Sequence, residues 1–359
     1  MTEAQPDDRP DLLGQDLAQL DATLMPYLEK RFRVRQVYDA LYRRAASEFE
    51  EMTELARALR GELATHFRVG VPEIEERRVS TDGTRKYLLK LRDGASVEAV
   101  DIPDRGRHTL CISSQAGCAL ACRFCVTGFW GAGRSLTAGE IIGQVQAIRR
   151  DDPPLGESLN LVFMGMGEPL LNLGALEPAI SILSESISLR RITVSTAGVI
   201  PGIEALAAWP RRPNLAVSLH APDDARRSEL MPINRSYPLV DLMRVLRAYP
   251  LEPRRRITFE YILIRDFNDS RADADRLFTL LRGMSAKVNL IPANPDPVLG
   301  DTMVPPDPEV IAAFQQRLLD RGMTTTVRRR RGDDVSAACG QLRAFARQPR
   351  GFRRSNLSF

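Results

Sequence analysis

No uncharged apolar run in these 359 residues approaches the ~18 needed for a transmembrane helix. The opening segment, MTEAQPDDRPDLL, has neither the basic start nor the apolar stretch of a signal peptide. The expectation is a cytoplasmic protein with no membrane partner. Net charge is small as well: 50 Lys and Arg against 46 Asp and Glu leave +4. Cysteine is scarce, with five residues, and the odd number argues against a disulfide framework. In a reducing cytosol such a set points to metal binding or catalysis. What remains, 43% hydrophobic and 27% charged residues, is the make-up of a globular protein with a sizeable core. The length suits one large domain plus a small one.

The distribution of charge says more than its sum. RRR at 254–256, RRRR at 328–331, and Arg343, Arg347, Arg350, Arg353 and Arg354 give the C-terminal third a local positive excess. Guanidinium groups pair bidentately with phosphate, so a polyanion such as RNA is one reading. A solvated basic face is the other.

Residues 1–13 are polar and read as a frayed, disordered tail. From 14 to 70 apolar residues recur at three- and four-residue steps, which predicts a small domain of about three helices. Residues 71–104 contain two short alternating runs about Asp93-Gly94, the pattern of a β-hairpin extension. From 105 to 345 strand, loop and helix repeat. Seven strand-like runs occur there: HTLCISS, LNLVFMG, RITVSTAG, NLAVSLHA, RRITFEYILI, KVNLIP and TTTVRR. Alternation of this kind predicts a parallel α/β barrel, complete or partial, with its site at the C-terminal ends of the strands. The unusual residues fall there: the cysteine cluster after HTLCISS, GMGEP after LNLVF, Ser195, SLH at 218–220, and Asn294. Residues 346–359 form a basic tail.

Three cysteines, Cys118, Cys122 and Cys125, follow a C-x3-C-x2-C spacing with no second pair nearby. Structural zinc usually takes four ligands in paired knuckles. Cubane iron–sulfur clusters ordinarily take four thiolates, so three leave one iron open for catalysis. Zinc with Cys111 or Cys339 as fourth ligand is the competing reading. GMGEP lacks the third glycine of a dinucleotide fingerprint, which disfavours NAD.

C-x3-C-x2-C, with Phe124 before the last cysteine and GMGEP downstream, resembles the radical S-adenosylmethionine (SAM) superfamily. Within it, TLCISSQAGCALACRFC together with RRRRGDDVSAACGQL resembles the RlmN family of bacterial RNA adenine methyltransferases, over about Phe32 to Arg343. The fold this implies is a partial parallel (βα)6 radical SAM barrel with an N-terminal helical domain, used in RNA recognition, and a β-hairpin extension. The family often carries tryptophan where Ala40 stands, so the packing of that helix is open.

The resemblance implies one [4Fe-4S] cluster on Cys118, Cys122 and Cys125, and SAM on Gly167, Glu168, Ser195, Ser218, Leu219, His220 and Asn294. Two SAM molecules are consumed per turnover. One methylates the Cys339 thiolate by displacement. The other yields a 5′-deoxyadenosyl radical that removes hydrogen from that methyl. The methylene radical adds to carbon 2 of adenine, Glu98 accepts the carbon-bound proton, and Cys111 attacks the Cys339 sulfur to form a transient disulfide. The implied substrates are an adenosine in 23S rRNA and one in the tRNA anticodon loop. The implied electron donor is a flavodoxin or ferredoxin, and the expected state is a monomer. The glycine after Cys339 and the preceding RRRRGDD point to a mobile RNA-facing loop. Three alternatives stand beside this reading: methylation at carbon 8, a radical SAM enzyme for a small molecule, and a non-enzymatic iron–sulfur or zinc RNA-binding protein.

Overall fold

The computed structural model describes residues 8–152, 159–300, 303–338 and 340–342. Arg343 to Phe359, with the basic tail, lie outside the described residues, as does Cys339.

One ten-stranded sheet runs in chain order: β1 (Glu73–Val79), β2 (Arg85–Lys90), β3 (Ser96–Asp104), β4 (Arg107–Cys111), β5 (Leu159–Phe163), β6 (Ile192–Thr196), β7 (Asn214–Ser218), β8 (Ile257–Leu263), β9 (Ala286–Pro292) and β10 (Thr325–Val327). The first four strands pair antiparallel, and β4 to β10 are parallel. The seven strand-like runs of the sequence are these parallel strands: six of the barrel and β10 added at its end. The expected hairpin is β2–β3, but it is not a separate extension. It continues the barrel sheet through β3–β4, and a further strand, β1, lies outside it. β1, EIEERRV, escaped notice because five of its seven residues are charged and it is mostly exposed at the sheet's edge.

Helices cover the outer face. α5 (Ala138–Asp151) begins at a capping box, in which Thr137 Oγ1 accepts from the Glu140 amide and Glu140 Oε2 accepts from the Thr137 amide. Its Ile141, Ile142, Val145 and Ile148 are buried at helical spacing against the sheet. α6 (Leu173–Leu183), α7 (Ile200–Ala207), α8 (Asp224–Leu230), α9 (Leu239–Ala248), α10 (Arg271–Leu281) and α11 (Pro308–Leu319) follow the later strands. α4 (Val126–Trp130) is a single turn after the last clustered cysteine.

The N-terminal helices α1 (Leu17–Leu24), α2 (Phe32–Tyr42) and α3 (Arg57–His66) enclose a core of their own. Ala40 is fully buried in it, so a small side chain closes the position at which tryptophan was in question. The expected frayed tail is corrected for residues 11–13. Asp11 pairs with Arg68 at 2.8 Å, Leu12 enters the helical core and Leu13 the barrel core. Two adjacent leucines thus pin two cores together, a role that polarity averaged over thirteen residues conceals. Gln146 Nε2 on α5 donates to the Leu41 carbonyl at 2.8 Å, and Tyr38 bonds Glu185, fixing the helical domain to the barrel.

Candidate active site

Alternation along the strands decides what faces the barrel interior. Lys86, Val100 and Cys111 are directly opposite one another on β2, β3 and β4, with Glu98 two residues from Val100 on the same face. Cys111 and Glu98 therefore share the inner face although thirteen positions separate them in sequence. Both are buried. The Glu98 carbonyl accepts from Ser113 Oγ at 2.6 Å, and its amide donates to the Met166 sulfur at 3.4 Å. These bonds tie β3 to the chain just before the cysteine loop.

That loop is held by close backbone approach. Gly117 has φ +136°, and a Cβ there would lie 2.6 Å from the Gly133 amide nitrogen; a Cβ on Gly133 would strike the Ala116 carbonyl. Glycine is required on both sides of the crossing. Cys118, Cys122 and Cys125 line one wall of a cleft with about 940 Å³ of open space at the strand ends. Burial pushes the Cys118 thiol up to about 11 and Cys122 well above its ordinary value, and the neighbouring thiols add to both shifts. Among the described residues no three Cys, His, Asp or Glu side chains converge where one metal ion could bond them all. A single tetrahedral zinc needs that convergence. A cubane takes each thiolate on a different iron, so three thiols spread along one wall fit it better.

The same cleft is lined by Gly167, Glu168, Ser195, Ser218 and His220. Gly167 has φ +94°, and a Cβ there would sit 2.5 Å from that of Gln115. Both Glu168 oxygens are engaged: Oε1 accepts from the Leu170 amide at 3.0 Å and Oε2 from the Ala197 amide at 2.7 Å. Burial pushes this carboxyl up to about 7, against the pull of those bonds. Glu168 thus joins the β5 and β6 loops into one cleft wall. Leu219 is buried, and its amide donates to the Glu260 carbonyl at 3.0 Å, so only its backbone neighbours reach the cleft. Asn294 borders an adjoining recess with Arg328, Ala337 and Ala338 instead.

His220 has a left-handed φ of +59°, and its ring meets Phe124 edge-on at 4.4 Å. Nδ1 accepts from the Ile262 amide at 3.1 Å, which leaves the proton on Nε2. Burial, and then Arg227, hold its pKa down at about 3. The unfolded chain protonates this ring near pH 6.5 and the folded one does not, so its contribution to stability is complete above 6.5 and is lost as pH falls toward 3. His220→Gln is expected to flatten that limb of a plot of urea midpoint against pH. Wild-type slope in the variant overturns the assignment.

Several residues at the site carry no signal in the sequence. Arg227, on α8, is fully buried and donates to Asn234 Oδ1 and to the Ala197 and Ser218 carbonyls. Glu260, inward on β8, accepts from Asn289 Nδ2 at 2.7 Å; only the alternation Thr258, Glu260, Ile262 hints at it. With Met164 and Arg328 it borders both the cleft and a lower, solvent-open chamber. That chamber is polar and basic, ringed by Arg105, Arg190, Arg191, Lys287, Arg328, Arg329 and Arg331. Barrel interiors are normally filled by branched apolar side chains, so this one is built to admit something anionic.

The residues on either side of position 339 dock onto this site as a strap. The Gly340 carbonyl accepts from the Val126 amide at 2.6 Å, taking the first free N–H of α4, and the Leu342 carbonyl accepts from Thr127 Oγ1 at 2.6 Å. Upstream, Asp334 accepts from Ser80 Oγ at 2.5 Å and from the Thr81 amide at 3.1 Å, while Asp82 accepts from the Gly332 amide at 3.1 Å.

Known proteins share these features. Residues 112–278 match the family described as "Radical SAM superfamily", and residues 10–69 the "Ribosomal RNA large subunit methyltransferase N-terminal domain". A "Dual-specificity RNA methyltransferase RlmN" of Halorhodospira halophila is 47% identical over 339 residues, 92% of this chain and 93% of that protein. One from Anaeromyxobacter dehalogenans is 45% identical over 94% of this chain and 93% of its own length. The crystal structure of a radical SAM methyltransferase from Sphaerobacter thermophilus superposes with a TM-score of 0.89 at 44% identity, covering 93% of this chain and 99% of that one.

Proposed function

The chain belongs to the RlmN family of radical SAM RNA methyltransferases, and from that membership we propose that it methylates carbon 2 of an adenosine in 23S rRNA and of one in the tRNA anticodon loop. The observation that carries the reading is the convergence on one barrel of three clustered thiols, a buried cysteine–glutamate face and an open basic chamber. SAM and a [4Fe-4S] cluster are its cofactors, as in the radical SAM superfamily.

Cys118, Cys122 and Cys125 are the thiolates that would hold the cluster. Bound there and reduced, the cluster would supply the electron for reductive cleavage of SAM. The strand-end loops carrying Gly167, Glu168, Ser195 and Ser218–His220, with Asn294 beside them, bind SAM. The neutral His220 ring directs its Nε2 hydrogen outward, because Nδ1 is already an acceptor. Two SAM molecules are used per turnover, one of them to methylate Cys339. After the methylene carried by Cys339 has joined carbon 2, the radical adduct would give up one electron to the bound cluster, and Glu98 takes the proton from that carbon. Cys111 then attacks the Cys339 sulfur, the carbon–sulfur electron pair leaves with the carbon and takes up a proton to complete the methyl group, and cellular thiols reduce the resulting disulfide. A carbon 2 between two ring nitrogens is electron-poor, which is why a polar transfer from SAM is unsuited and two extra cysteines are needed.

Arginines of the lower chamber neutralise phosphates flanking the flipped adenosine. The helical domain, residues 14–70, contributes to RNA recognition. Among the described residues no helix is long and apolar enough to cross a membrane. The enzyme acts in the cytoplasm as a monomer, with a flavodoxin or ferredoxin as donor.

Nucleoside mass spectrometry after anaerobic reaction with methyl-labelled SAM tests this. Labelled 2-methyladenosine in 23S rRNA and tRNA is the expected outcome. Labelled 8-methyladenosine overturns the position of methylation. Cleaved SAM with neither product overturns the RNA assignment.

A further inference from the structure

Lys86 on β2 takes no part in the reaction described above, yet it sits at its centre. It is 5% exposed, and its Nζ lies 3.0 Å from Oε1 of Glu98, which is 1% exposed. The same ammonium donates to the Ser336 carbonyl at 3.0 Å. Ser336 stands in the strap, three residues before Cys339, with a left-handed φ of +51°. A buried lysine–glutamate pair seldom gains stability over apolar side chains of equal volume, so stability alone does not account for it.

We propose that Lys86 is the positioning residue of the proton-removal step: it keeps the Glu98 carboxylate ionised and aimed into the barrel, and it ties the strap that carries Cys339 to that carboxylate. The inference rests on the reading of Glu98 as the base. A carboxylate removed from water tends to hold a proton, and a nearby cation opposes this. A protonated Glu98 has no capacity for the carbon-2 proton. In the step itself that proton passes to Glu98 and the C–H electron pair stays with the adenine, while Lys86 keeps its charge and its bonds.

The charged and titratable groups facing Glu98 come from three strands. Lys86 on β2 bonds it directly. Arg78 on β1 is paired first with Glu76, at 2.7 Å, and attracts Glu98 through space. The Cys111 thiol on β4 shares its face. The loop after β5 presents the Met166 sulfur, and the strap presents the carbonyl of Ser336. Lys86 bonds both the base and the strap, so one ammonium spans the two.

The test follows resolution of the covalent protein–RNA adduct in single turnovers as a function of pH. Lys86→Met removes charge and donors; Lys86→Gln keeps a donor and removes only the charge, so it preserves the fold if Met does not. Both are expected to accumulate adduct and to move the pH midpoint of resolution upward by roughly one unit or more. Lys86→Arg is expected to restore the wild-type midpoint. Cluster absorbance, read in parallel, should stay at the wild-type level. An unshifted midpoint in a neutral variant that retains its cluster overturns the proposal. Glu98→Gln separates the two layers: if it resolves adduct at the wild-type rate, the base assignment itself fails; if it traps adduct while Lys86→Gln does not, only the role of Lys86 falls.

Discussion

Replacing Cys339 by alanine is expected to lower 2-methyladenosine formation by at least about 10³-fold, the scale of removing a nucleophile. The cluster should remain, because the loop that carries its three thiols is held independently by the glycine crossing at Gly117 and Gly133. Cys111→Ala gives a different signature. Cys339 is still methylated and still joins the base, but the carbon–sulfur bond persists, so protein migrates with RNA on a denaturing gel. The contrast between an absent product and a trapped one identifies the two roles. Each rival reading predicts otherwise. A radical SAM enzyme for a small molecule has no use for Cys339 and loses nothing. An RNA-binding protein without chemistry keeps its affinity in both variants. Unchanged 2-methyladenosine in Cys339→Ala sinks the two-cysteine mechanism.

Arg227→Met is expected to cost on the order of 3 kcal/mol or more, because it leaves three buried acceptors without their donor at about 1–3 kcal/mol each. The guanidinium is fully buried and donates to Asn234 Oδ1 at 2.7 Å, Ala197 O at 2.7 Å and Ser218 O at 3.1 Å. Burial brings its pKa down to about 10, so it remains charged at neutral pH. Two of those carbonyls belong to residues that line the cleft, Ala197 after β6 and Ser218 at the end of β7. The same bonds that stabilise the fold therefore fix the spacing of two strand-end loops. The melting temperature should fall by roughly 6 °C or more, and SAM binding, measured by calorimetry on cluster-loaded enzyme, should weaken in parallel. Arg227→Lys keeps the charge but reaches fewer acceptors and should fall between. A variant with wild-type melting and wild-type SAM affinity contradicts this account.

These residues mark where sequence reading stops. The parallel strands are legible because runs such as LNLVF and KVNLIP are short and rich in apolar residues, and the strand-end residues follow from where those runs finish. Cys111 and Glu98 are legible as residues, but that they share a face depends on the tight Arg105-Gly106 turn, which sets the β3–β4 register and goes unread as a hairpin in the sequence. Arg227 stands in DARRSEL, which by composition is an exposed helical turn; its burial is decided by α8 tucking under the β6 and β7 loops. Lys86 stands in RKYLLK, where an alternating strand would put a lysine in solvent. It is buried on the inner face, where it meets Glu98 and the strap carbonyl of Ser336. Leu12 and Leu13 were hidden by the polar residues before them. For Arg227, Lys86, Leu12 and Leu13 the deciding fact is a tertiary contact with a segment far away in the chain.

The strap also limits tempo. It is latched at both ends, by Lys86 on Ser336 and by the Val126 amide on Gly340. Any excursion of the chain between those latches must first break one of them, and such local openings have their own free energy and frequency. In the proposed two-cysteine cycle, methyl loading and delivery would then alternate no faster than the latches let go, and turnover would be capped by the backbone however fast the radical chemistry runs.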